Sequence, residues 1–263
     1  MVGQFLELSI AARPLQTSFE FYRALGFTSV PVSDSLPDPY LVMFDGHVAI
    51  GLHDREQDGA WLTFVRPGLQ DYVHALRRLS VDMMFAHLTD DEFNRVGFTD
   101  PTGQAITLLE ARTFPPGDWN RQNVSACGEF LEYSLPTESL ATSREFWQSL
   151  GFTTQEAGTA PHEWERLVGH GLTIGLHETR FRPGLTYRAP HLEARVAYLA
   201  AKAYDYETCL APNDPRGPGS AFLTGIIRSR ALGRFSNGTP LPGGGSGDRG
   251  LTDPLARMTA NWN

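Results

Sequence analysis

Two kinds of side chain capable of chemistry recur along this chain at a nearly constant interval. Glu7 lies in FLELS and Glu132 in FLEYS, 125 positions on, while His53 closes IGLH and His177 closes the same tetrapeptide 124 positions on. A carboxylate and an imidazole that converge can hold a hard or borderline divalent cation through oxygen and nitrogen. Alternatively, a carboxylate whose pKa is raised toward neutrality by an apolar surrounding acts as a general base without any metal. The two thiols, Cys127 and Cys209, have no metal-ligand spacing and read as small buried hydrophobes.

The elements that must position these groups are themselves repeated. SFEFYRALGF, Ser18 to Phe27, returns as SREFWQSLGF, Ser143 to Phe152, and Leu62-Thr-Phe64 returns as Leu185-Thr-Tyr187. Blocks in one order with slowly drifting offsets mark a duplicated domain with small deletions. TFPPGDWNRQNVSACG has turn residues and no apolar period, so it reads as the connection between copies. The expected division is a first domain over 1–113, a linker over 114–128 and a second domain over 129–230, degenerate at its C-terminal end. A Gly/Pro/Ser-rich tail over 231–263 completes the chain.

Within a copy, FLELSI alternates apolar and polar positions as a half-buried strand does, and Leu15, Phe19, Tyr22 and Leu25 form a helix stripe. Pro14 suits the start of that helix and Gly26 its left-handed end. Three short strands, TSVPV, PYLVMF and HVAIGLH, complete a βαβββ unit. The pattern restarts at AWLTFV, with a helix over 69–79 striped by Leu69, Val73, Leu76 and Leu79, then strands in VDMMFAH, RVGF and AITLLEA. Asp100-Pro-Thr-Gly103 is the tight turn between the last two. The fold class is α+β.

Composition narrows the partners. A formal charge of −8, with no basic run interleaved with aromatics, offers a phosphate backbone little, so nucleic acid is not an expected partner. No window holds 18 consecutive apolar residues and MVGQFLELSI is not a signal peptide, so the expectation is a cytoplasmic protein with no membrane association. Spacing leaves monomer and homodimer both open.

Paired βαβββ units, a helix closing in FYRALGF and a final DPTGQAITLLE resemble the vicinal oxygen chelate superfamily, which includes glyoxalase I, extradiol dioxygenases, fosfomycin-resistance enzymes and bleomycin-binding proteins. The resemblance covers residues 5–112 and 129 to about 188. It implies two glyoxalase-like domains, each curling paired modules into a cupped mixed sheet with a ligand or divalent metal inside. By strand alternation Phe5, Glu7 and Ser9 enter the first cup, with Gly51 and His53 from the fourth strand and Trp61 and Thr63 from the fifth. Ile106, Leu108 and Glu110 are expected there from AITLLEA.

The family places metal ligands on four strands, at positions matching Glu7, Gly51, Trp61 and Glu110. Glu110 agrees with the family's carboxylate, and the others depart from it. The two-His-one-carboxylate set is absent, which disfavours extradiol cleavage. A substitute set of Glu7, His53 and Glu110 would hold one divalent ion, Zn, Mn, Fe, Ni or Mg, with Glu7 and Glu110 as catalytic carboxylates. Phe5, Ser9, Gly51, Trp61, Thr63 and Leu108 would line the substrate pocket. In the second domain Glu132 and His177 are the candidates, but no strand ending in Glu follows the DPRG turn. The resulting expectation is a glyoxalase-like small-molecule-binding protein, leaning to a metal-dependent lyase or isomerase acting on an oxygenated metabolite. The alternative is a non-catalytic, metal-free binder of a drug or metabolite, of the bleomycin-resistance kind.

Overall fold

The structure is a computed structural model that describes residues 1–31, 39–79, 81–89, 94–111 and 125–189, residues 194, 197, 198 and 201, and the strand backbones at 204–209 and 221–229. The expected linker lies largely outside the described residues, as do the tail over 231–263 and the helix expected through Leu192, Val196 and Leu199.

The first module runs β1 (Gln4–Ala11), α1 (Leu15–Ala24), β2 (Thr28–Val30), β3 (Tyr40–Phe44) and β4 (Ala49–His53). The second runs β5 (Ala60–Arg66), α2 (Leu69–Arg78), β6 (Asp82–His87), β7 (Arg95–Thr99) and β8 (Ala105–Glu110). Their strands form one eight-stranded mixed sheet in the order β2-β3-β4-β1-β5-β8-β7-β6. Each module's first strand lies parallel to its last, β1 to β4 and β5 to β8, and β1 joins β5 antiparallel at the centre. Those centre strands carry most of the candidate residues.

The copy repeats this with β9 (Glu129–Pro136), α3 (Leu140–Ser149), β10 (Thr153–Gly158), β11 (Trp164–Gly169) and β12 (Leu172–His177), followed by β13 (Gly184–Ala189), β14 (Tyr204–Cys209) and β15 (Ala221–Ser229). The second sheet has seven strands in the order β10-β11-β12-β9-β13-β15-β14. Its last module departs from the pattern, because β13 pairs with β15 antiparallel where β5 and β8 are parallel.

Both helices of the opening repeat are bounded as their sequences require. Pro14 occupies the N-cap of α1, and Gly26 and Gly151 follow α1 and α3 with φ of 89° and 103°, a left-handed turn that glycine makes without strain. Ser139 caps α3 by accepting from the Thr142 amide at 3.3 Å. Phe21, Tyr22 and Trp147 face inward, and one apolar cluster runs through both sheets, from Phe64 to Phe152, whose rings meet edge-on with centroids 6.4 Å apart.

Two buried aspartates fasten the copies together. The Tyr187 hydroxyl donates to Asp45 Oδ2 at 2.8 Å, while Asp45 Oδ1 accepts the His47 and Val48 amides, each at 2.8 Å. Burial, then the nearby Asp45 charge, pushes the Tyr187 phenol far above its ordinary pKa, so it stays a donor. Asp100, in the turn read from sequence, accepts from the Thr102 and Gln104 amides and from the Trp147 indole at 3.3 Å. Truncating Tyr187→Phe leaves Asp45 Oδ2 buried without that donor and should cost about 1–3 kcal/mol in a urea unfolding curve. A cost within the ±0.5 kcal/mol of roughly neutral surface changes contradicts the clasp.

Candidate functional site

The strand faces decide what can meet. Leu62 and Phe64 of β5 pack with Val73 and Leu76 of α2 on the helix side, so Trp61 and Thr63 point to the opposite, cup side. On β4, Ile50 and Leu52 take the helix side, and Ala49, Gly51 and His53 take the cup. Ala49 packs there with Val42 and Phe44 in a second apolar cluster that Tyr40 borders.

Glu7 is the centre of this face and is 2% exposed. Its Oε1 accepts the Ser9 hydroxyl at 2.7 Å and lies 2.9 Å from His53 Nε2, and its Oε2 accepts the Tyr40 hydroxyl. Ser9 uses its only proton on Glu7, so in its 2.7 Å contact with Thr63 the threonine hydroxyl must donate. A ring nitrogen facing an ionised oxygen must likewise carry its proton, which fixes His53 as a donor through Nε2. Burial first, then the Glu7 charge, pushes the Tyr40 phenol far up, keeping it protonated, and its ring stacks on His53 at 4.5 Å.

Gly51 makes this possible. A Cβ there would stand 2.1 Å from Glu7 Oε1, so only glycine lets the carboxylate lie against the β4 backbone. The second domain repeats the device: a Cβ at Gly175 would meet Glu132 Oε1 at 1.9 Å. Glu132, 1% exposed, accepts Ser134 at 2.9 Å and His177 Nε2 at 2.6 Å, and Ser134 contacts Thr186 at 2.6 Å. The remaining oxygen differs, since Arg166 Nε donates to Glu132 Oε2 at 2.8 Å where Tyr40 serves Glu7. Burial alone would raise the Glu132 pKa, but the His177 hydrogen bond and charge, with Arg166, hold it down at about 2.

Four residues expected in the cup lie elsewhere. A bulge between Phe5 and Glu7 turns Phe5 onto the helix side, opposite Phe64, where the two rings meet edge-on at 5.5 Å. On β8, Ile106 and Leu108 pair with Leu62 and Phe64 and join the helix-side core, so the cup side takes Thr107. Glu110 shares their face and accepts the Leu69 amide at 3.1 Å, capping α2. A carboxylate there also meets the favourable end of the helix dipole. Glu110 is thus a structural cap separated from Glu7 by the sheet, and the expected set of Glu7, His53 and Glu110 does not converge.

The residues present do not fit the family's divalent ion. His53 spends on Glu7 the nitrogen it would offer a metal, both Glu7 oxygens are taken by protein donors, and Glu110 faces the other way. Among the described residues no three His, Cys, Asp or Glu side chains gather as a ligand set. The cup instead carries an aromatic wall. Trp61 stacks on Phe85 with centroids 6.0 Å apart and 24° between planes, Phe85 lies over Gly97, and the Arg95 guanidinium sits 5.7 Å from the Phe85 centroid. Between them Thr107, paired with Thr63 and Gly97, has a buried hydroxyl with no hydrogen-bond partner.

Tyr40, Phe85 and Thr107 were not among the sequence candidates. Alternation along PYLVMF puts Tyr40 with Val42 and Phe44 on one face, but its meeting with Glu7 needs the β3–β4 register, Tyr40 opposite His53.

No family model matches this sequence, and no curated protein matches it. Solved structures do resemble the fold. A 2,3-dioxygenase from Pseudomonas sp. KL28 superposes with a TM-score of 0.51 at 14% identity, over 79% of this chain and 84% of the other. A single-residue mutant of homoprotocatechuate 2,3-dioxygenase from Brevibacterium fuscum gives 0.52 at 12%, over 80% of this chain and 69% of the other. This is the vicinal oxygen chelate fold. A Mn(II)-bound glyoxalase from Novosphingobium aromaticivorans gives 0.48 at 12%, over 81% and 76%. Among the described residues no helix of this chain is long and apolar enough to cross a membrane.

Linkage gives the second cluster a measurable signature. Glu132 has a folded pKa near 2 against an unfolded value of 4.5, so its contribution is complete above pH 4.5 and is lost as pH falls through 2. The loss should be on the order of 3 kcal/mol, and Glu132→Gln should flatten the stability profile over that window, read by urea unfolding at successive pH values. Parallel profiles for variant and parent contradict the assignment.

Proposed function

We propose that this chain is a metal-independent small-molecule-binding protein whose first cup holds a planar ligand against Trp61 and Phe85. The observation that supports the reading most strongly is the direction of the His53 and Tyr40 donors, both turned onto Glu7 rather than toward an open coordination site. Their arrangement makes the Glu7 cluster a closed polar plug at the base of the cup. The stacked pair beside it offers a ring a face on which to lie, worth about 0.5–1.5 kcal/mol beyond burial of its area. The orphaned Thr107 hydroxyl offers the ligand one hydrogen bond in a place where leaving it unmade costs about 1–3 kcal/mol. Catechols and other small phenols match this chemistry, and one such compound, homoprotocatechuate, is named for a dioxygenase of like fold. Turnover of a catechol by ring cleavage is not part of the proposal, since among the described residues no facial triad of the kind that reaction needs is gathered.

The test is a calorimetric titration of chelator-treated protein with a panel of planar phenols and catechols. Binding of at least one compound is expected without added metal, weakened about tenfold or more by Trp61→Ala and several-fold by Thr107→Val. Binding that appears only after Mn²⁺ or Fe²⁺ is restored, or that both variants leave unchanged, overturns the reading.

A further inference from the structure

In the first domain the buried carboxylate is closed off by a tyrosine, but in the second it leads outward. His177 Nε2 donates to Glu132 Oε1 at 2.6 Å, which leaves His177 Nδ1, and that atom stands 3.0 Å from His162 Nε2. The chain of contacts runs from a carboxylate that is 1% exposed to a half-buried histidine on the β10–β11 connection. With the Nε2 proton of His177 committed to Glu132, its Nδ1 can accept the Nε2 proton of His162. His162 is then left with an unprotonated Nδ1. Burial lowers the His162 pKa below its ordinary value, so that nitrogen is unprotonated near pH 7.

We infer that His162 is the general base of a metal-free site in the second cup, with His177 and Glu132 as its positioning residues. A proton captured at His162 Nδ1 moves its Nε2 proton to His177 Nδ1, making an imidazolium that rests against the Glu132 carboxylate. The guanidinium that donates to Glu132 is itself divided between two carboxylates. Arg166 is shared between Glu132 and Glu156, giving the three a net charge of −1. The flanking rings are aromatic: Trp164 stacks on His177 at 6.5 Å with 25° between planes, and Phe181 meets it edge-on at 5.5 Å. With the Arg166 guanidinium doubly paired and aromatic rings on His177, the site suits a neutral ligand with a flat apolar body. The reaction class is addition of water to a small uncharged ester.

The balance is as follows for p-nitrophenyl acetate, the probe chosen for the test. Water oxygen bonds to the acetyl carbon as its proton passes to His162 Nδ1, the bond to the aryl oxygen breaks, and p-nitrophenolate leaves. Acetate forms, and the stored proton returns to solvent. The rate should exceed that of free imidazole at equal concentration, be indifferent to EDTA, and rise with pH to a plateau as the relay loses its extra proton. His162→Ala should lose about a hundredfold and recover with added imidazole, a rescue that a merely structural residue would not allow. Glu132→Gln should move the midpoint of that rise to lower pH than in the wild type by removing the anion that supports the imidazolium. A wild-type rate no better than imidazole, an unchanged rate in His162→Ala, or a rate that requires added Zn²⁺ overturns the proposal. Because the relay lies wholly in the second sheet, its failure leaves ligand binding in the first cup untouched.

Discussion

Each half of this protein is organised around one contact, a buried carboxylate laid against a glycine. An ionised group taken out of water costs several kcal/mol unless it is fully hydrogen-bonded. Glu7 and Glu132 meet that demand with donors from three strands: a serine two residues on, a histidine two residues past the glycine, and a tyrosine or arginine from the next strand. The requirement ties the register of the centre strands together, since a one-residue slip would send any of these groups to the opposite face. The threonine behind each serine, Thr63 or Thr186, adds the strand on the other side. The cup floor is therefore both the most polar and the most constrained part of each sheet.

The same constraint shapes the interior that this chain builds on a fold shared with dioxygenases. In this chain the space over the fourth strand is filled by the carboxylate itself, and its oxygens face hydroxyl and imidazole protons. Divergence between the copies then acts on the donor to Oε2. A tyrosine closes the first cluster and leaves an aromatic wall, Trp61 and Phe85, as its accessible feature. An arginine holds the second, and His177 is left with its outer nitrogen toward His162.

Much of this was legible in the sequence because duplication and alternation are local. The repeated FYRALGF-like helix endings and the IGLH tetrapeptides located both copies, and alternation put Glu7, Ser9, Gly51, His53, Trp61 and Thr63 on the correct face. Two errors have one cause. A bulge after Phe5 shifts the phase of β1, and the counting of AITLLEA began one residue out of phase with β5, so Phe5, Leu108 and Glu110 were assigned to the wrong side. Phase across a sheet is fixed by partner register, which a single strand does not encode. Glu110 also had a competing attraction, the amide at the start of α2, that no spacing rule reveals. Tyr40, Arg166 and His162 escaped notice because each joins its cluster only through long-range strand pairing.

The central claim, that these carboxylates are held by protein protons and not by a metal, is tested most directly at the imidazoles. Long-range proton–nitrogen correlation spectra of ¹⁵N-histidine-labelled protein should show His53 and His177 with protonated Nε2, and their signals should be unmoved and unbroadened by one equivalent of Mn²⁺. Loss of the His53 ring signals to paramagnetic broadening at that ratio, or an Nε2 that carries no proton, would contradict it.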